Sequence, residues 1–334
     1  VSAALLDETS VVAYLRDRGV VGAGPATAAA LGGGVSNVVL AVGDGRRRLV
    51  VKQALPRLRV AAEWTAPTDR TLTEADALVL AAGLTPGAVP AVVDRDDDRH
   101  VLVLEHAPPG WRDWKADLLG GTADPAVAAR LGEVLARWHA GTTEPDALPP
   151  RVRAGGDAFE RLRVEPFYRR VAAQTPGELG ERILATADAM TARRTCFVHG
   201  DFSPKNVLVA PDGQGPGPGL WAIDFEVAHL GDPAFDPAFL LCHLSLKAVH
   251  RPASAAAYAR CAAAFAAAYE GGGPAPDWPY VLRHAGCLIL ARVRGASPAE
   301  YLMAAERETA WRLGVDLLTG AVAGLDDLFA EVTR

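Results

Sequence analysis

The sequence predicts an α+β chain with a sheet-rich first lobe, a helical second lobe and a cleft between them. Three observations lead there. Short apolar runs separated by glycine turns occupy roughly the first 105 residues. A stiff, proline-rich run follows, His106-Ala107-Pro108-Pro109-Gly110. Beyond it, helical periodicity dominates, interrupted by two short loops rich in carboxylates. A chain of 334 residues is long enough for two lobes, and half of it is hydrophobic, which allows a substantial core.

Residues 10–18 have helical character and lead into a Gly/Ala stretch. Leu31-Gly32-Gly33-Gly34-Val35-Ser36-Asn37 then opens an apolar run over 38–42, Gly43-Asp44-Gly45 turns it, and Leu49-Val50-Val51-Lys52 returns. Strand, glycine turn and strand in alternation describe an antiparallel meander. Leu72, Ala75, Leu78, Val79 and Ala82 recur at helical spacing over 71–82. Residues 89–93, a charged turn over 94–99 and residues 101–104 read as a further hairpin. Helices are expected over 125–140, 177–192, 236–249, 253–269, 281–292 and 299–317. The alanine-rich run 255–269 belongs to one of these, because alanine has the highest helix propensity. The expected division is a first lobe over 1–105, a linker over 106–110 and a second lobe over 111–334.

Net charge is −6, and no basic block forms a nucleic-acid footprint. Arg46-Arg47-Arg48 follows Gly43-Asp44-Gly45 and reads as an exposed turn. Cys196, Cys242, Cys261 and Cys287 lack metal-ligand spacing and read as buried thiols in a reducing compartment. No stretch approaches the length of a membrane span, and the first residues lack the basic and apolar regions of a signal peptide. The expectation is a cytoplasmic monomer or homodimer with no nucleic-acid or membrane partner.

The chemistry concentrates in His199-Gly200-Asp201-Phe202-Ser203-Pro204-Lys205-Asn206 and, farther along, Ile223-Asp224-Phe225-Glu226. Apolar runs flank both loops, and the glycine- and proline-rich segment 211–219 turns the chain between them, so a small hairpin is expected. Such a hairpin gathers Asp201, Asn206 and Asp224. Phosphoryl transfer from ATP uses that set: a carboxylate beside the acceptor hydroxyl, and hard oxygen ligands for Mg2+. Asp201 is the candidate catalytic residue, and Asn206 and Asp224 are the candidate metal ligands.

These motifs resemble the aminoglycoside phosphotransferase family, small-molecule kinases with a protein-kinase-like two-lobe fold. Protein kinases carry arginine where Gly200 stands, with the same Asp-to-Asn spacing, and Asp224-Phe225-Glu226 takes the place of Asp-Phe-Gly. Gly231-Asp232-Pro233 and Arg292 to Leu302 are similar to further pieces of the family's helical lobe. The neighbourhood of Lys52, with Glu63-Trp64 and Glu74-Ala75, resembles methylthioribose kinase. The resemblance implies an ATP- and Mg2+-dependent kinase acting on a hydroxyl of an aminoglycoside-like antibiotic, sugar, aminocyclitol or nucleoside. A methylthioribose-type sugar kinase and a catalytically inactive nucleotide-binding module are the alternatives.

Within that resemblance Lys52 is expected on the nucleotide phosphates, paired with Glu74 or with its competitor Glu63. Gly33, Gly34, Ser36 and Asn37 form the loop over the phosphates, where missing Cβ atoms let the backbone approach. Glu105 and Ala107 present backbone groups to adenine, and His199 supports the catalytic loop by hydrogen bonding. Asp232 and Asp236 are expected to brace the loops by accepting backbone hydrogen bonds, with Asp232 before Pro233 alternatively beginning a turn. Lys205 either adds a cation for the transferring phosphoryl group or is solvated or salt-bridged. On the acceptor side stand Trp111, Trp114 and Lys115 as stacking and polar candidates. Arg292 and Arg294 suit either an anionic substrate or buried carboxylates, the second being the commoner fate. Asp326-Asp327 is a further acceptor-side candidate or a solvated helix face.

Overall fold

The computed structural model describes residues 4–32, 36–57, 66–211, 217 and 219–332. Helix α1 (Val11–Asp17) precedes strands β1 (Thr27–Ala30), β2 (Asn37–Gly43) and β3 (Arg48–Ala54); helix α2 (Arg70–Leu84) and strands β4 (Val92–Asp96) and β5 (Val101–Glu105) follow. The five strands form one antiparallel sheet in the order β1-β2-β3-β5-β4. Val38, Leu40 and Val42 alternate along β2 and pack with Val11, Tyr14 and Leu15 of α1, as a period of two requires. β5 is buried on both faces: Val101 and Val103 face that cluster, while Leu102 and Leu104 join Ala75, Leu78 and Ala81 of α2 in the main core. The sheet is therefore a partition between two apolar layers. β4 departs from expectation by running to Asp96, into the charged segment read as a turn. Its register slips between Val92 and Asp94.

Beyond the sheet come β6 (Arg112–Asp113), α3 (Trp114–Leu119) and α4 (Pro125–Ala140). Next are α5 (Pro150–Ala154), α6 (Gly156–Phe159), a π-helix (Glu160–Arg169), α7 (Arg170–Ala173) and α8 (Glu178–Ala192). The segment from α5 to α7 has no counterpart among the expected elements. Four short strands carry the loops: β7 (Cys196–Val198), β8 (Val207–Val209), β9 (Leu220–Ala222) and β10 (His229–Gly231). β8 and β9 are the expected hairpin, pairing Val207 with Ala222 and Val209 with Leu220. β7 instead pairs with β10, so the two loops hang between two small sheets. Helices α9 (Phe235–His250), α10 (Ala255–Glu270), α11 (Trp278–Arg294), α12 (Ala304–Thr319) and α13 (Leu325–Val332) complete the chain. No helix among the described residues is long and apolar enough to cross a membrane. All four cysteines are buried and free.

The composition of α10 has a packing reason. Gly132 of α4 lies so close to α10 that a Cβ there would sit 2.4 Å from the Phe265 carbonyl oxygen and 3.0 Å from the Ala268 Cβ. Small residues on both helices let their backbones approach. Gly132→Ala should therefore lose about 1–3 kcal/mol through overpacking, measured by urea unfolding. Gly83→Ala, where the added Cβ meets nothing within 4 Å, should cost nothing, because alanine is the better helix former.

Candidate functional site

The loop after β7 is held from below. Asp236, in the first turn of α9, accepts the His199 amide at 2.7 Å and the Gly200 amide at 2.9 Å. His199 accepts the Asp201 amide on Nδ1 at 3.1 Å, which leaves Nε2 to donate to the Ile223 carbonyl at 3.2 Å. Burial lowers the His199 pKa, so the ring stays neutral and serves as a strut between loops. Gly200 has a φ of 78°, and a Cβ there would stand 2.8 Å from the Val227 carbonyl oxygen. No larger residue fits that turn without moving a backbone.

Asp201 is almost completely buried. Its Oδ2 accepts from Asn206 Nδ2 at 2.8 Å and lies 2.9 Å from Arg163 and 2.8 Å from Lys205. Burial opposes its charge, but Arg163 and then Lys205 outweigh burial and hold the carboxyl below its usual range. Asn206 spends its Nδ2 on Asp201 and its backbone carbonyl on the Ile223 amide at 2.9 Å. Its Oδ1 makes no hydrogen bond among the described residues.

The second loop meets the sheet through one cation. Lys52 Nζ, on β3, donates to Glu74 Oε1 of α2 at 2.7 Å and to Asp224 Oδ1 at 2.8 Å. Burial works against the ammonium, but Asp224 and Glu74 together raise its pKa. Burial pushes the Glu74 carboxyl up to about 7 against the pull of Lys52. Asp224 moves the other way: burial raises it, and Lys52 more than reverses that. Asp224 also has a φ of 70°, a strained conformation for a residue with a side chain. The partner of Lys52 is thus Glu74 among the described residues; Glu63 lies outside them.

A cavity of about 540 Å³ joins these groups. Lys52, Glu74, Asn206 and Asp224 line it with Leu31, Gly32, Ser36, Asn37 and the linker residues Glu105 to Ala107. Gly33 and Gly34 lie outside the described residues. Ser36 and Asn37 reach the cavity, yet their side-chain donors are occupied: Ser36 Oγ donates to Glu226 Oε1 at 2.8 Å, and Asn37 Nδ2 to Oε2 at 2.9 Å. Any phosphate contact there falls to backbone. At the linker, the Glu105 amide is bonded to Ala91 and the His106 amide to Arg48, whereas the Ala107 amide has no partner among the described residues. No cluster of three or more His, Cys, Asp or Glu among the described residues could hold a metal alone. Asn206 Oδ1 and the ionised Asp224 carboxylate are hard oxygen donors, which fits Mg2+ completing its shell with phosphates and water.

Several acceptor-side expectations change. Trp114 is a core residue, 1% exposed, so it cannot stack on a ligand. Trp111 packs on Trp221, their centroids 5.0 Å apart. Arg294 lies over the Trp311 ring at 3.8 Å. Arg292 has no carboxylate partner among the described residues; its guanidinium donates to Ser297 Oγ at 2.7 Å. Asp232 caps its own turn at Ala234 and receives the Tyr280 hydroxyl at 2.8 Å, the turn-starting alternative, so Asp236 alone of the two braces the catalytic loop among the described residues. Asp326 and Asp327 are exposed, while Leu328 and Phe329 of the same helix are buried, which is a solvated face.

Two groups escaped sequence reasoning. Arg163 of the π-helix donates to the Gly200 carbonyl at 3.0 Å as well as pairing with Asp201. Arg70, fully buried on α2, pairs with Glu226 at 3.0 Å and donates to the Ser36 and Leu55 carbonyls. Glu226 thereby ties the second loop to both the glycine-rich loop and α2. The one available signal was the glutamate itself, standing where a related motif has glycine.

The family model described as Phosphotransferase enzyme family matches residues 27–282. A methylthioribose kinase from Pectobacterium carotovorum is 28% identical over 242 residues, covering 65% of this chain and 59% of the relative. The chain spans about three fifths of the length of the curated relatives it matches (59%, 62% and 65% for the first three). The structure of a macrolide 2'-phosphotransferase from Brachybacterium faecium aligns with a TM-score of 0.51 at 20% identity, covering 97% of this chain and 98% of that one. An amicoumacin kinase in complex with AMP-PNP, Ca2+ and Ami aligns with a TM-score of 0.53 at 15% identity, covering 90% and 91%. The fold is the kinase-like two-lobe α+β fold that the sequence predicts.

Lys52→Met tests the central ion cluster. It leaves Glu74 buried without its cation and should cost about 3–5 kcal/mol at pH 8. An acid whose folded pKa is raised contributes stability at low pH and loses it as pH rises through that pKa. Glu74 stands at about 7 even with Lys52 present, so the loss should shrink at pH 5.5, where the carboxyl takes up a proton. Urea unfolding at both pH values reads the difference; an equal loss at both would rule out Glu74 as the group left exposed to the penalty.

Proposed function

This chain belongs to the phosphotransferase enzyme family, and we propose that it is a kinase moving the γ-phosphate of ATP to a hydroxyl of a small molecule. The observation that carries this reading is convergence on one cavity. A paired lysine, a carboxylate held ionised and an amide with a free oxygen line it, and Asp201 is hydrogen-bonded into its wall through Asn206 and Lys205. In the reaction the acceptor oxygen forms a bond to the γ-phosphorus as the bond to ADP breaks, and the hydroxyl proton passes to Asp201. Arg163 and Lys205 make Asp201 a weak base, which suits a loose transition state in which the hydroxyl is aimed first and deprotonated late. In this reading Lys52 would meet the phosphates, and Ala107, whose amide has no partner among the described residues, would meet the adenine edge. Asn206 and Asp224 would hold Mg2+, which when bound neutralises phosphate charge.

The lobes divide in this reading at 1–105 and 111–334, with 106–110 as the linker. The cytoplasm is the compartment that fits four buried free thiols and a need for ATP. A methylthioribose-type sugar kinase is the second reading, favoured by the curated relatives named as methylthioribose kinases. A phosphorylation screen with methylthioribose and other pentoses, nucleosides and aminoglycosides separates the two.

Asp201→Ala should lower turnover by roughly 10²–10⁴-fold, the usual worth of a positioned acid-base group, while ATP affinity stays within a few-fold. A rate near wild type would refute the assignment. Asp224→Ala should instead weaken nucleotide binding by calorimetry with Mg2+ present and change it little without the metal.

A further inference from the structure

The catalytic loop carries a cation next to its carboxylate. Lys205 sits in the single 3-10 turn Pro204–Asn206, which the Asn206 amide closes on the Ser203 carbonyl at 2.9 Å. From there Lys205 Nζ lies 2.8 Å from Asp201 Oδ2, on a side chain that is 48% exposed. Lys205 lines the cavity with Asn206 and Asp224. Lys52 and Lys115 line it too, but Lys52 is bound to Glu74 and Asp224. Of the three lysines, Lys205 alone contacts Asp201 among the described residues.

Asp201 stays paired without this cation. Arg163 lies 2.9 Å from the same oxygen on a side chain only 10% exposed. It is fixed there by its bonds to the Gly200 carbonyl at 3.0 Å and the Leu162 carbonyl at 2.8 Å. Asn206 Nδ2 reaches that oxygen as well, at 2.8 Å. A half-exposed ion pair added to these contributes little to stability, because water screens it. Three donors thus crowd Oδ2, and Oδ1, which no hydrogen bond reaches among the described residues, is the atom left for an acceptor hydroxyl. An ammonium has three N–H donors. One serves Asp201, and the described residues take neither of the others.

We propose that Lys205 is a second catalytic residue, keeping one N–H on Asp201 and donating another to an oxygen of the phosphoryl group in transfer. The inference rests on the kinase reading and adds the group that meets the moving charge. The acceptor oxygen bonds to the γ-phosphorus as the bond to ADP breaks, the hydroxyl proton goes to Asp201, and Lys205 keeps its protons throughout. The phosphoryl group leaves the nucleotide for a hydroxyl held at Asp201, and so it moves toward Lys205. The hydrogen bond from Lys205 is then stronger in the transition state than to the bound nucleotide, which is the condition for a rate effect.

The test needs no knowledge of the acceptor. Calorimetry on the full chain compares two probes with Mg2+ present: AMP-PNP, and ADP with aluminium fluoride, which stands in for the phosphoryl group in transfer. Lys205→Met should weaken the fluoride complex roughly 10- to 100-fold, the worth of a charged hydrogen bond, and change AMP-PNP affinity little. Lys205→Arg, which keeps a cationic donor, should retain most of the difference between the probes. Retained AMP-PNP binding and thermal midpoint show that the Lys205→Met chain is folded. A double-mutant cycle separates this role from service to Asp201 alone: in an Asp201→Ala background, Lys205→Met should still weaken the fluoride complex severalfold. Equal weakening of both probes by Lys205→Met, weakening of neither, or an effect that vanishes with Asp201 overturns the inference. Failure of the kinase reading looks different: wild type then gains no affinity for ADP when aluminium fluoride is added.

Discussion

One lysine sets the geometry on which the rest depends. Lys52 comes from the middle strand of the sheet, Glu74 from the helix packed on that sheet, and Asp224 from a loop of the other lobe. Three elements far apart in sequence are registered by two bonds to a single nitrogen. In water such bonds contribute little, but here the lysine and Glu74 are almost fully enclosed, so breaking the set strands a charge where solvation is poor. That penalty keeps the sheet, α2 and the second loop in one arrangement. Asp224 meets that lysine with its own backbone in the left-handed region, φ 70°.

Glu226 forms a second clasp two residues on, of a different kind. Lys52 holds a carboxylate brought to it, whereas Glu226 reaches out to Arg70, Ser36 and Asn37. A glycine at this position would leave the Arg70 guanidinium buried with backbone carbonyls alone. The glutamate therefore fixes the glycine-rich loop relative to the second loop, and it does so by using the side chains that sequence reasoning assigned to phosphate. Their side-chain donors are spent on alignment of the lobes.

What was legible in the sequence was local. His199 to Asn206 and Ile223 to Glu226 could be read because a short hairpin brings their ends together, so spacing along the chain stands for distance in space. Lys52 was legible because an apolar strand makes a lysine conspicuous. Arg163 was not, because its role depends on how a π-helix containing Pro166 packs against Gly200, and neither a period of 3.6 nor of 2 marks that segment. Trp114 was misjudged for a related reason, and the carboxylate partner thought commoner for Arg292 is absent among the described residues. Residue type suggests a partner, but only packing decides whether a ring is enclosed or a guanidinium finds an acid.

The charges around Asp201 point to a consistent chemistry. Gly200 cannot bear a side chain, so the loop's guanidinium arrives in space from Arg163 instead of along the chain. With Lys205 it surrounds the carboxylate with positive charge, which weakens Asp201 as a base but favours any group bringing negative charge toward it. A transferring phosphoryl group spreads negative charge over its oxygens. Lys115 joins Lys205 in the cavity wall, with Asp113 beside it, so positive charge extends from Asp201 into the space where phosphate would lie.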